Sequence, residues 1–165
     1  GEDLPPNEPG ELIAKGYGIM KGYYKMPKQT KETIRDGWLH TKDLATMDDD
    51  GYFSILGRID DMIIRGGENV YPREIEEYLY TNTKIKDVAV VGVPSEKYGE
   101  EVCAFIQLNN GEMASEDEIK SFCKEGISRF KVPKYILFTE DFPLTASGKI
   151  RKVELKELAK EKVGL

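Results

Sequence analysis

Two neighbouring apolar stretches constrain this chain more than any other feature. Ile85 to Val93 is strongly β-branched, and Val102 to Leu108 follows it across a loop at Pro94 to Gly99. Both read as strands. Helix signals flank them. Pro72 fits a first helical position, where its missing N–H would be unpaired anyway. Glu74, Glu76 and Glu77 then sit where the helix dipole favours negative charge, with Ile75, Tyr78 and Leu79 as the buried stripe. Ser115 and Glu118 form a capping-box signature for a helix whose apolar face carries Ile119, Phe122 and Cys123. Met62 to Ile64 is a short strand ended by Gly66-Gly67. Tyr135 to Thr139 is a third core strand, and Val153 to Lys162 a last helix burying Leu155, Leu158 and Ala159. The order β-α-β-β-α-β-α predicts a compact α+β domain.

The first third of the chain is different. Glu11 to Ala14, Trp38 to Thr41 and Tyr52 to Leu56 read as short strands between turns at Gly16, Asp36-Gly37 and Asp50-Gly51, and Lys28 to Ile34 follows Pro27 as a short helix. These strands have few partners of their own and suggest part of a sheet or barrel whose remainder lies elsewhere. The chain opens Gly1-Glu2-Asp3 without an initiator methionine, which suggests a piece of a longer protein.

At 165 residues, with 39% hydrophobic and 33% charged residues, the chain suits one domain, or one small domain with a piece of another. A net charge of −6 argues against a general nucleic-acid binder, which normally carries a basic excess. The two cysteines, Cys103 and Cys123, have no metal-ligand spacing and read as buried thiols of a reducing compartment. The longest apolar run, Val88 to Val93, is far too short to cross a bilayer. With no signal peptide visible, a cytoplasmic location is expected.

Two segments carry chemistry. Pro143-Leu144-Thr145-Ala146-Ser147-Gly148-Lys149-Ile150-Arg151 places a lysine at a turn before the last helix. It is not a phosphate-binding P-loop, because Pro143 fills the first glycine slot and Ile150 the slot of the metal-binding hydroxyl. Taken alone, Lys149 is simply a lysine on an exposed turn. Gly148, which permits close backbone approach, beside a compact ammonium on a long stem favours a phosphate partner. Upstream, Gly57 to Glu76 holds Arg58, Asp60, Asp61 and Gly66-Gly67. The glycine pair by itself is a tight turn, and the charges a solvated cluster. Together, and at a change of composition, they suggest a hinge with polar ligand contacts.

In that order the segments resemble the carboxy-terminal portion of the adenylate-forming, AMP-binding superfamily: acyl-CoA synthetases, luciferases and the adenylation domains of peptide synthetases. Gly10-Glu11-Leu12 through Gly22-Tyr23-Tyr24 is similar to a strand pair late in that family's large domain. Trp38-Leu39-His40-Thr41-Lys42-Asp43 resembles its Thr-Gly-Asp element. Gly57 to Glu76 and Pro143 to Lys149 resemble its hinge and lysine motifs. Gly66-Gly67-Glu68-Asn69 with Tyr71-Pro72 looks most like a fatty-acyl or related acyl-CoA synthetase.

The resemblance implies residues 1–57 as the β-rich tail of an incomplete large N-terminal domain. It implies 58–165 as a mobile small domain with a central short mixed sheet and flanking helices. Lys149 becomes the adenylation lysine, Asp43 and Arg58 ribose ligands and Asp60 the hinge. Gly66 and Gly67 line the path of the CoA pantetheine, Phe130 stacks on the CoA adenine, and Lys134 lies near its phosphate. Phe130 reads equally as a core residue. The implied reactants are ATP, giving AMP, CoA and a carboxylic acid of the fatty-acid class. No metal ligand falls in this chain, and Mg is expected through the missing large domain. The fragment alone is expected to be inactive. A peptide-synthetase adenylation domain, an aryl-CoA ligase, a luciferase-like oxygenase and a noncatalytic interaction module of the same fold are the alternatives. One departure stands out. Lys42 occupies the glycine slot before Asp43, and a left-handed backbone there would cost roughly 1–2 kcal/mol; its ammonium is also within reach of a phosphate in this reading.

Overall fold

The structure, a computed structural model, describes residues 2–164. It divides into two compact units, Gly1–Asp60 and Asp61–Leu165.

The first unit is a four-stranded sheet built on β3 (Trp38–Met47). One edge of β3 pairs antiparallel with β1 (Gly10–Ala14); the other pairs with β2 (Ile34–Arg35) and then with β4 (Phe53–Arg58). Helix α1 (Pro27–Thr33) takes Pro27 as its first residue and stops one short of the expected Ile34, which pairs in β2. β3 runs six residues beyond Thr41, because its two neighbours supply partners for polar positions that show no strand pattern in sequence. β4 continues through Gly57 to Arg58, so Arg58 belongs to this sheet and the division falls after Asp60. Ala45 is the one buried residue of this unit among those described, whereas Tyr17, Tyr24, Tyr52 and Phe53 are exposed.

The second unit is an α+β domain around a mixed five-stranded sheet. β7 (Ile85–Ser95) and β8 (Gly99–Leu108) pair antiparallel along their whole length. The loop read at Pro94 to Gly99 shrinks to residues 96–98, because Pro94 still pairs with Glu100. β9 (Tyr135–Phe138) lies parallel to β8, and β5 (Ile63–Arg65) joins β8 at Gly99. β5 also pairs with β6 (Glu68–Val70), a strand absent from the sequence reading.

Both faces of this sheet are covered, which explains the near-continuous apolar runs. Val88, Val90, Val102, Ala104 and Ile106 pack with Ile75 and Leu79 of α2 (Pro72–Tyr80) and with Ile119 and Cys123 of α3 (Glu116–Gly126). Their strand neighbours Ala89, Val91, Val93, Cys103 and Phe105 pack with Leu155 and Ala159 of α4 (Lys152–Val163). The strand period of two thus assigns alternate residues to two cores. Ser115 Oγ accepts the N–H of Glu118 at 3.2 Å, half of the expected capping box. The Glu118 carboxylate turns away to Lys84 Nζ at 2.7 Å instead of returning to the Ser115 N–H. No described helix is long and apolar enough to cross a membrane.

Candidate functional site

In the first unit the β3–β4 register sets Asp43 opposite Arg58, and Arg58 donates to Asp43 Oδ1 at 2.9 Å. Both predicted ribose ligands are therefore neighbours. Asp43 is held from behind: its N–H donates to Thr41 Oγ1 at 3.0 Å, while that hydroxyl donates to the Leu12 carbonyl at 2.6 Å. Glu11 fixes the preceding residues, one oxygen accepting the Lys42 N–H at 3.1 Å and the other 2.8 Å from His40 Nδ1. Partial burial works against its ionised form, yet the hydrogen bonds from His40 and Lys42 hold Glu11 below its ordinary carboxyl range.

Lys42 adopts φ 61°, so the left-handed backbone considered from sequence is present with a lysine in it. Its ammonium donates to Asp60 Oδ2 at 2.9 Å. The lysine read as within reach of a phosphate is thus committed to the carboxylate read as the hinge. Sequence reasoning missed this pair because it depends on the length of the β3–β4 hairpin.

In the second unit Lys149 sits on a closed turn rather than on a loose loop. Leu144 and Ile150 form a β-bridge across it. The Thr145 N–H donates to the Lys149 carbonyl at 2.8 Å, and the Gly148 N–H to the Thr145 carbonyl at 2.9 Å. The Lys149 N–H donates to Thr145 Oγ1 at 3.0 Å. Gly148, at φ 78°, supplies the left-handed residue that closes the turn. The Lys149 side chain is exposed, and its ammonium has neither ion pair nor hydrogen bond among the described residues, whereas Lys152, three positions on, is 2.7 Å from Glu76 Oε1.

Gly66 and Gly67 form the two-residue connection between β5 and β6, since Arg65 pairs with Glu68. Their φ values of 61° and 89° suit a type I′ hairpin turn, a conformation that favours glycine at both places. Both are exposed, and nothing lies within 4 Å of where a Cβ on Gly67 would point. Phe130, in the 3₁₀ turn Arg129–Lys131, is half-buried against the core on the α2 and α3 side. Lys134 is exposed, with Nζ 5.0 Å from the Tyr135 ring centre and 3.9 Å from Glu101 Oε1.

Glu101 was not singled out in the sequence. It is 2% exposed, the one buried charged side chain among the described residues. Arg65 meets both of its oxygens, Nε to Oε2 at 2.6 Å and Nη2 to Oε1 at 3.3 Å. A carboxylate heading an otherwise apolar strand is the signal that marks it. No group of three or more His, Cys, Asp or Glu side chains suited to a metal ion occurs among the described residues.

Residues 74–149 match the family described as the AMP-binding enzyme C-terminal domain. YngI of Bacillus subtilis (strain 168) is 57% identical over 149 residues, covering 90% of this chain and 27% of its own length. The rat mitochondrial medium-chain acyl-CoA ligase ACSF2 is 50% identical over 158 residues, covering 95% of this chain and 26% of its own. The crystal structure of ATP-bound MatB from Rhodopseudomonas palustris superposes with a TM-score of 0.89 at 37% identity, over 97% of this chain and 32% of that one. The chain thus spans about a quarter of the length of the curated relatives it matches.

Proposed function

We propose, on the premise that residues 74–149 belong to the family of AMP-binding enzyme C-terminal domains, that this chain is the carboxy-terminal part of an ATP-dependent acyl-CoA synthetase. In this reading the whole enzyme joins a carboxylic acid of the medium-chain fatty-acid class to CoA in the cytoplasm. The kinship to a medium-chain acyl-CoA ligase and to an ATP-bound structure supports the class.

The observation that carries the proposal is the uncommitted, exposed ammonium of Lys149 on a hydrogen-bonded turn. The substrate carboxylate attacks the α-phosphorus of ATP, the bond to pyrophosphate breaks, and an acyl-adenylate results. Negative charge builds on the phosphoryl oxygens, and a pre-positioned cation stabilises it most where water is excluded. Lys149 supplies that cation. Asp43, with two acceptor oxygens, takes the ribose hydroxyls, and Arg58 both orients that carboxylate and reaches the same sugar.

The second unit then turns about Asp60, withdrawing Lys149 and presenting Gly66-Gly67. The CoA sulfur attacks the acyl carbonyl carbon; the carbon–sulfur bond forms, the bond to AMP breaks, and the thiol proton passes to solvent. Phe130 and Lys134 receive the CoA nucleotide. The bare first-unit surface around Tyr17, Tyr24, Tyr52 and Phe53 fits packing against the large domain. Acyl pocket, triphosphate loop and any Mg site belong there too, so this chain alone is inactive.

The test uses the complete ligase. Lys149→Ala abolishes ATP-dependent acyl-adenylate formation but leaves conversion of supplied acyl-adenylate and CoA to thioester. Equal loss of both half-reactions contradicts the assignment.

A further inference from the structure

A charged pair inside a domain rarely stabilises it more than apolar side chains of the same size would. Its presence calls for another explanation, and Glu101 has unusual reach for one side chain. Through the bidentate Arg65 it touches β5 at the residue immediately before Gly66. Arg65 then donates from Nη1 to the Phe130 carbonyl at 3.4 Å, and its guanidinium carbon lies 4.6 Å from the centre of the Tyr98 ring. Tyr98 closes the circuit. Its carbonyl accepts the Gly66 N–H at 2.8 Å, and its Cδ1 stands 3.2 Å from the place a Cβ on Gly66 would occupy. On the far side Glu101 Oε1 is 3.9 Å from the Lys134 ammonium.

One buried carboxylate therefore links two segments far apart in sequence: the Gly66-Gly67 turn and the Phe130–Lys134 stretch, which it meets through Arg65 at the Phe130 carbonyl and approaches to 3.9 Å at Lys134. Only a planar, five-donor guanidinium serves this geometry, because a lysine offers a point charge that cannot bridge a carboxylate, a carbonyl and an aromatic face together. We propose that Glu101 is a positioning residue for the CoA-dependent step: through Arg65 it sets the Gly66-Gly67 turn against the Phe130–Lys134 segment, so that pantetheine and nucleotide are held in one register. This rests on the assignment of those two segments to CoA. Glu101 itself touches neither reacting atoms nor substrate.

The experiment compares four forms of the complete ligase: Glu101→Gln, Arg65→Lys, the Glu101→Gln/Arg65→Gln double variant, and Lys134→Ala. KM for CoA and kcat are measured, with thermal melting to record folding. Glu101→Gln and Arg65→Lys raise KM for CoA by roughly tenfold or more, as expected when a binding register slips by a fraction of an ångström. The double variant removes both charges of the pair and recovers thermal stability, yet keeps the raised KM. A purely structural pair gives the opposite pattern, with KM returning to the parent value as stability returns. If Glu101→Gln does not fold, the double variant decides alone. Lys134→Ala separates the two layers. A raised KM there with unchanged KM in the folded Glu101 variants overturns the positioning role only. Unchanged KM for Lys134→Ala overturns the CoA assignment, and the positioning role with it.

Discussion

Replacing Lys42 tests how the first unit holds β3. Lys42 combines a left-handed backbone, φ 61°, with an ion pair to Asp60 at 2.9 Å in which both side chains are about half exposed, 52% and 56%. Holding a residue with a Cβ in that conformation costs roughly 1–2 kcal/mol. An exposed pair returns at most about 1 kcal/mol, and less in salt. Lys42→Gly and Lys42→Ala both lose the ammonium, and both keep the N–H that donates to Glu11. The ion pair therefore cancels between them, leaving the backbone term. Glycine also gains freedom in the unfolded chain, which offsets about 0.4–1 kcal/mol. The glycine variant should be the more stable by about 1 kcal/mol. Trp38, the single tryptophan of the chain, lies on β3 four residues away, so its emission during urea unfolding reports this unit. An alanine variant as stable as the glycine variant, or more so, would refute the strain argument.

Two further outcomes follow from the second unit. Ser115→Ala removes the acceptor for the Glu118 N–H and should cost about 1 kcal/mol by denaturant unfolding; no loss would show that the cap is idle. Burial pushes the Cys103 thiol up to about 12 and that of Cys123 up to about 11, and burial with a hydrogen bond to Asp87 pushes Tyr80 up to about 12. Each group favours its neutral form in the folded chain, so its contribution is complete below the unfolded values near 9 to 10 and is lost as pH rises towards the folded ones. Unfolding free energy should therefore fall progressively above about pH 9, and a thiol reagent at pH 8 should label neither cysteine until the chain unfolds. Rapid native labelling would show that the two cores are open.

Much of the second unit was legible because its signals are local. Pro72 and Ser115 mark helix starts wherever the chain goes, and the alternate residues of β7 and β8 need only a covered sheet to become core. β6 was not legible: Glu68-Asn69-Val70 is short and polar, and it becomes a strand because a two-glycine turn folds it back on β5. The length of β3 was hidden for a related reason, since Asp43 to Met47 become strand by pairing with β4. The turn at Lys149 was legible from its loop residues Thr145, Ser147 and Gly148, but its closure was not. Only in three dimensions do the first and last of them close it. Glu101 needed both the β7–β8 register and the meeting of β5 with β8 at Gly99, neither of which one segment reveals.

In the proposed enzyme, the contrast between the lysines bears on how one small unit could serve two reaction steps. Lys131 is 2.6 Å from Glu74, and Lys152 is 2.7 Å from Glu76, so these cations are spent on holding the 3₁₀ turn and α4 to α2. Lys84 is likewise paired, with Glu118. Among the described residues Lys149 is left without such a partner, while its turn is fixed by a bridge and three hydrogen bonds. A cation on a floppy loop would lose more conformational entropy on meeting a phosphate, and one paired to its own domain would first have to break that pair. A rigid turn with a free ammonium avoids both costs. In the proposed enzyme, binding then requires only that the turn be brought to the phosphate, which moves the energetic decision away from the lysine and onto the segment around Asp60.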